Sequence, residues 1–219
     1  MKDNTWIRLH AALMLAALTA LGQTGLWWPV LGVSLVTFSW LLAMHAPALR
    51  RLRPVGGYAN WVTLARWALL LYAAYSYPQW SDYIVFLLFL TVIISDGIDG
   101  YLARRYQQST AVGGLLDVET DALMSAILAG IHYQEDIVGV WILLAGGMRY
   151  GYVWLLYLLG WENHKGADNP NARWIGATFI SVLMGPFIAP EWLSVPALVV
   201  GSLLVTCSFG YSLWGQRKA

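Results

Sequence analysis

The amino-acid sequence predicts an all-α protein, a polytopic membrane helical bundle, and three observations carry that prediction. Of 219 residues 58% are hydrophobic and only 11% charged, whereas soluble domains carry about 25% charged residues. Stretches close to the ~20 apolar residues that span a bilayer as a helix follow one another with short polar breaks, leaving no room for a separate water-soluble domain. The apolar runs are continuous rather than alternating, which excludes an outer-membrane barrel. The same composition excludes other classes. A net charge of +1 without a basic stripe does not suit a nucleic-acid binder. The single cysteine, Cys207, lies in an apolar run and excludes a disulfide framework. No internal repeat or low-complexity tract is present, and the 13 tryptophans suit interfacial belts.

In chain order the candidate spans are 6–22, 26–44, 61–77, 83–104, 113–132, 137–159, 174–188 and 193–214, eight helices in all. The first has features of a signal peptide, with Lys2 and Arg8 before an apolar stretch and Ala20-Leu21-Gly22 after it; it is read as a retained span. Orientation follows from the basic residues. With the N-terminus cytoplasmic, the cytoplasmic segments hold Lys2, Arg8, Arg50, Arg51, Arg53, Arg104, Arg105, Lys165, Arg173, Arg217 and Lys218. The opposite loops, near Gln23, Gln79, Gln134 and Pro190, hold none, and only Arg66 and Arg149 lie inside spans. Both termini are therefore expected in the cytoplasm, with the protein in the inner membrane if the source is bacterial. Segment 46–58 mixes Arg50, Arg51 and Arg53 with Leu49, Leu52 and Val55, which suits a stretch along the headgroups. It divides the chain into two N-terminal transmembrane helices (1–46), a juxtamembrane segment (47–58) and a six-helix remainder (59–219).

Charged residues inside spans are rare because each costs about 2.5–3.5 kcal/mol at the bilayer centre. Asp96, Asp99, Asp117, Glu119 and Asp121 nevertheless fall on two consecutive spans. Asp96 and Asp99 are three residues apart, Asp117 and Asp121 four, so each pair shares a helical face. At about 1.5 Å of rise per residue, Asp99 and Asp96 lie roughly 8 and 12 Å below the cytoplasmic end of their helix, and Asp117 and Asp121 roughly 6 and 12 Å below theirs. The helices are antiparallel, so Asp99 is expected opposite Asp117 and Asp96 opposite Asp121. Carboxylates gathered in a bilayer repel one another unless cations bridge them. An oxygen-only set without Cys or His favours Mg²⁺, Mn²⁺ or Ca²⁺. Gly100 and Ala103 leave the face beside the acids bare, Arg104 can meet a phosphate, and Gly97, Gly113 and Gly114 permit close approach.

These residues form the pattern Asp96-x2-Asp99-Gly100-x2-Ala103-Arg104-x8-Gly113-x3-Asp117-x3-Asp121. It resembles the signature of the CDP-alcohol phosphotransferases, also called CDP-alcohol phosphatidyltransferases, with all eight positions present. Asn60-x2-Thr63-x2-Arg66 also resembles the start of that family's first core helix, and the resemblance covers about residues 58–214. It implies a six-helix core preceded here by two extra helices. It further implies a cytosol-facing cavity in which two divalent ions, Mg²⁺ or Mn²⁺, bridge the aspartates and the pyrophosphate of a CDP-linked donor. Residues matching Asp96, Asp99 and Asp117 bind metal in the family, and the one matching Asp121 binds metal and acts as general base. Those matching Gly100, Ala103, Arg104 and Gly113 form the nucleotide site, and Asn60 and Thr63 are assigned to it with them. The implied partners are CDP-diacylglycerol, a small alcohol acceptor, membrane lipids and a second copy of the chain as a homodimer. Two alternatives stand beside this reading: transfer from soluble CDP-choline or CDP-ethanolamine to diacylglycerol, and ion-coupled transport.

The remaining polar residues divide by position. Glu119 points roughly 160° away from Asp121 at about 100° per residue, which favours a structural ion pair or a subunit contact over catalysis. Arg149 lies roughly 16 Å from the cytoplasmic end of its span, as deep as Asp96 and Asp121, and serves either structural pairing or acceptor binding. Arg66 and Arg173 are further acceptor candidates. His10, His45, His132 and His164 sit singly in different segments and read as structural, and Gly146 and Gly147 as packing residues. Family members that use phosphorylated acceptors commonly carry Lys after the last motif aspartate, where this chain has Ala122. An unphosphorylated acceptor is therefore expected.

Overall fold

The computed structural model describes residues 2–77, 79–161 and 172–217. Their secondary structure is helical: α1 (Lys2–Thr24), α2 (Trp28–Leu49), α3 (Tyr58–Ser76), α4 (Asp82–Arg105), α5 (Ala111–Gln134), α6 (Trp141–Gly146), α7 (Met148–Leu158), α8 (Ala172–Leu183) and α9 (Glu191–Arg217), with a 3₁₀ turn at Gly185–Phe187. Lys165 and His164 lie outside the described residues, as does the side chain of Arg173. The chain is an all-α polytopic membrane protein. Helices α1, α2, α4 and α9 are long and apolar enough to cross a bilayer on that basis alone. The charged residues of the acid cluster fall on α3, α4 and α5, with α3 packed against each of the other two.

Local chemistry sets the helix ends. Gly25, at φ +69°, closes α1 in the left-handed region, its N–H returning to the Leu21 carbonyl at 2.8 Å. Pro29 stands in the first turn of α2, where its missing donor costs nothing. Thr110 caps α5, its hydroxyl accepting from the Gly113 N–H at 3.1 Å. Segment 46–58 differs from its expected outline, because α2 continues to Leu49 and only residues 50–57 turn. Gln108, in the α4–α5 loop, ties these residues down, donating to the Arg53 carbonyl at 2.7 Å and accepting from the Tyr58 N–H at 2.9 Å.

The sixth expected span is not one helix. It divides at Gly147 (φ −90°, ψ 6°) into α6 and α7. A Cβ on Gly146 would lie 2.5 Å from Ala129 Cβ and 2.8 Å from the Ser125 carbonyl, and one on Gly147 would lie 2.9 Å from Leu18 Cδ1. The bare backbone passes between α5 and α1 there, the close approach that small residues permit in lipid. The seventh span is also short, twelve residues of α8 followed by the 3₁₀ turn that carries Pro186.

One apolar core runs through the bundle, from Met14 and Leu21 of α1 through Leu70, Phe89, Ile127, Ile142 and Tyr150 to Leu183 and Leu198. A second cluster joins Trp6, Phe38 and Leu41 of the N-terminal pair to Val112 and Leu116 of α5. The two leading helices are thus packed into the same bundle as the rest, with α1 against α5 and α7. Helix α3 lies against both α4 and α5, and that three-helix junction carries the site.

Candidate active site

Each of the three helices presents one polar face to the junction. Asp96 and Asp99 come from α4, Asp117 and Asp121 from α5, and Asn60, Thr63 and Arg66 from successive turns of α3. The Arg66 guanidinium sits among the four aspartates, its Nη1 2.8 Å from Asp96 and 2.9 Å from both Asp99 and Asp117, its Nη2 2.7 Å from Asp121. Asp99 is the buried member, 9% exposed against about 40% for the others. It also accepts from the Thr63 hydroxyl at 2.9 Å. Arg66, an acceptor candidate from the sequence, therefore stands inside the acid cluster as its counter-cation.

The donor set suits a hard divalent ion. Asp96, Asp99 and Asp117 each offer a carboxylate oxygen within 4.8 Å of the other two. One guanidinium set against four carboxylates leaves most of their charge uncompensated. Oxygen-only ligation is the preference of Mg²⁺ and Mn²⁺.

Two cavities border this cluster. The smaller, about 230 Å³, is lined by Asn60, Thr63, Asp99, Gly100, Ala103, Arg104, Gly113 and Asp117, which brings together every residue assigned to nucleotide binding from the sequence. Its walls are bare where that matters. A Cβ on Gly100 would meet only the flexible end of Arg104, at 3.5 Å, while one on Gly113 would lie 2.5 Å from Asn60 Oδ1. Asn60 is held by its own bond to the Gly56 carbonyl at 2.7 Å. The larger cavity, about 480 Å³, is lined by Arg66, Asp96, Asp117, Asp121 and Arg149, with an apolar wall that includes Ile93, Phe179, Ile180, Val205 and Phe209. Asp117 lines both cavities and Asp121 only the larger.

Glu119 forms an ion pair with Arg149 at 2.6 Å, one of the two roles that its direction away from Asp121 favours. His10, read from the sequence as structural, belongs to the same buried group, 3.7 Å from Glu119. Spacing along the chain could not reveal that neighbour, since it joins helices more than 100 residues apart.

Fold and site together define a helical membrane protein whose acidic centre borders a small polar cavity and a larger, partly apolar one. The chain belongs to the CDP-alcohol phosphatidyltransferase family, whose sequence profile matches residues 57–213. Curated relatives carry the name CDP-diacylglycerol–glycerol-3-phosphate 3-phosphatidyltransferase. The chain is similar to that of Sodalis glossinidius, 28% identical over 171 residues covering 72% of this chain and 93% of the relative. It is similar as well to that of Yersinia enterocolitica, 31% identical with 61% and 75% covered, and to that of Shigella flexneri, 32% identical with 64% and 78% covered. No solved structure gives a significant match. The profile match begins at residue 57 and leaves α1 and α2 outside it.

Proposed function

We propose that the chain transfers a phosphatidyl group from CDP-diacylglycerol to the hydroxyl of a small alcohol and releases CMP. The observation that carries this reading is the acid cluster bordering two cavities, with Asp117 lining both and Asp121 the larger alone. The cytidine nucleotide occupies the smaller cavity against Gly100, Ala103, Arg104 and Gly113. The acceptor enters the larger, whose apolar wall also suits the donor's glycerol backbone and chains. Asp96, Asp99, Asp117 and Asp121 would hold two Mg²⁺ or Mn²⁺ ions, which when bound neutralise charge on the pyrophosphate and on the departing CMP. Asp121 takes the hydroxyl proton as the alcohol oxygen bonds to the phosphorus that carries diacylglycerol. The bond from that phosphorus to the bridging oxygen breaks, and CMP leaves with the electron pair. The working unit on this reading is a homodimer in the inner membrane, with both termini and the nucleotide cavity on the cytoplasmic side.

The relatives' name points to glycerol 3-phosphate as acceptor. The larger cavity supports an unphosphorylated alcohol instead, because Arg66 and Arg149, the cations among its described lining residues, are both already paired with carboxylates. Ala122 adds no charge there. The test is to supply the purified protein in nanodiscs with labelled CDP-diacylglycerol, Mg²⁺ or Mn²⁺ and a panel of alcohols, then identify the lipid formed. CMP release with an unphosphorylated alcohol is expected. Faster turnover with glycerol 3-phosphate refutes the acceptor assignment. Product formed only from CDP-choline or CDP-ethanolamine and diacylglycerol reverses the direction of transfer.

A further inference from the structure

One carboxylate takes no part in the chemistry above. Glu119 lies between Asp117 and Asp121 in sequence, but its side chain turns to another side of α5 and is 2% exposed. Its Oε1 accepts twice from Arg149, from Nη2 at 2.6 Å and from Nε at 3.2 Å. Arg149, on α7, is 28% exposed and lines the larger cavity together with Asp121. Helix α1 closes the other side of Glu119, where His10 Nε2 lies 3.7 Å from Oε2. His10 is itself held in place. Its ring stacks on Trp6 with centroids 4.8 Å apart, and its Nδ1 meets Thr37 Oγ1 of α2 at 2.8 Å. The Thr37 hydroxyl already donates to the Val33 carbonyl at 2.7 Å, so it accepts the Nδ1–H. With His10 of α1 on its other face and only 2% exposure, the carboxylate is turned to Arg149 and away from solvent.

A guanidinium brings five N–H donors and one charge to a ligand. Glu119 takes two of those donors and compensates the charge, which leaves Arg149 able to hydrogen-bond hydroxyl oxygens in the cavity. A phosphate dianion needs uncompensated positive charge, all the more beside four aspartates. We infer that Glu119 determines acceptor specificity: by pairing with Arg149 it selects unphosphorylated alcohols over phosphorylated ones. This rests on the larger cavity being the acceptor site. It also gives α1 and α2 a part in selection, since their Trp6, His10 and Thr37 keep the carboxylate buried.

The test measures kcat and KM for matched acceptors, glycerol with glycerol 3-phosphate and inositol with inositol phosphate, using full-length protein in nanodiscs with CDP-diacylglycerol and Mg²⁺. Glu119→Gln keeps the shape and removes the charge. It should raise the preference for the phosphorylated member of a pair about tenfold or more, through the acceptor KM, while the KM for CDP-diacylglycerol holds. Glu119→Asp should restore the wild-type preference, and adding Arg149→Ala to Glu119→Gln should abolish the gain. An unchanged preference in folded Glu119→Gln, or a gain that survives the loss of Arg149, overturns the assignment. Should Glu119→Gln not fold, the wild-type enzyme decides, because preference for the phosphorylated member in both pairs overturns it equally. Failure of the acceptor-site reading itself looks different: Arg149→Ala would then leave the KM of every acceptor unmoved.

Discussion

Arg66 closes the acid cluster with a single guanidinium that reaches all four aspartates. Removing it leaves four carboxylates facing one another without their counter-cation, and because only Asp99 is buried while the others are about 40% exposed, the cost falls below the roughly 3–5 kcal/mol of breaking a fully buried pair. Arg66→Ala should therefore lower Tm, and millimolar Mg²⁺ should restore more of it than it adds to the wild type, as read by thermal unfolding in detergent. Equal Mg²⁺ gains in the two proteins would argue against a shared place for arginine and metal. On the proposed roles of the aspartates, Ala at Asp96, Asp99 or Asp117 should abolish turnover and weaken divalent binding. Asp121→Asn should slow turnover by about 10²–10⁴-fold, the range of general-base catalysis, with donor binding partly retained. Full activity in that variant would remove Asp121 as the base.

At the scale of the helices, two glycines mark where backbones meet. The Cβ that Gly113→Ala adds would displace Asn60 Oδ1 from 2.5 Å away and disturb its hold on the Gly56 carbonyl. The expected result is a raised KM for CDP-diacylglycerol with the acceptor KM unmoved. Gly146→Val would press α6 into Ala129 and the Ser125 carbonyl of α5. Overpacking of this kind costs about 1–3 kcal/mol, to be read as a fall in Tm. These helices also show which parts of the molecule can be read from sequence. The spacing of Asp96 with Asp99, and of Asp117 with Asp121, is information within single helices, and the structure brings those pairs together on the faces that spacing predicts. The direction of Glu119 away from Asp121 was legible for the same reason. The break at Gly147 was not, because it depends on Ala129 and Leu18, residues of other helices that crowd the backbone. Nor could spacing choose between pairing and acceptor binding for Arg149, or find Arg66 inside the cluster, since both depend on how α3 and α7 are rotated against α5.

On the scale of the whole molecule, the N-terminal pair is packed into the bundle, its Trp6, Met14 and Leu21 fully buried among core residues. The charge asymmetry of the loops gives a direct test of how that bundle lies in the membrane. Single cysteines at positions 79, 134 and 190, in a background with Cys207 replaced, should label from the non-cytoplasmic side, and those at 52 and 108 from the cytoplasm. The reverse pattern would separate the site from cytosolic nucleotide. Asp117, exposed to both cavities at once, has a consequence for the order of events. On the proposed assignment of donor and acceptor to these two cavities, a shared wall favours direct transfer with both substrates bound at once. Initial rates at varied concentrations of both substrates should then give intersecting rather than parallel double-reciprocal lines. Labelled CMP should not exchange into CDP-diacylglycerol when the alcohol is left out, and a chiral phosphorus should pass from donor to product with its configuration inverted.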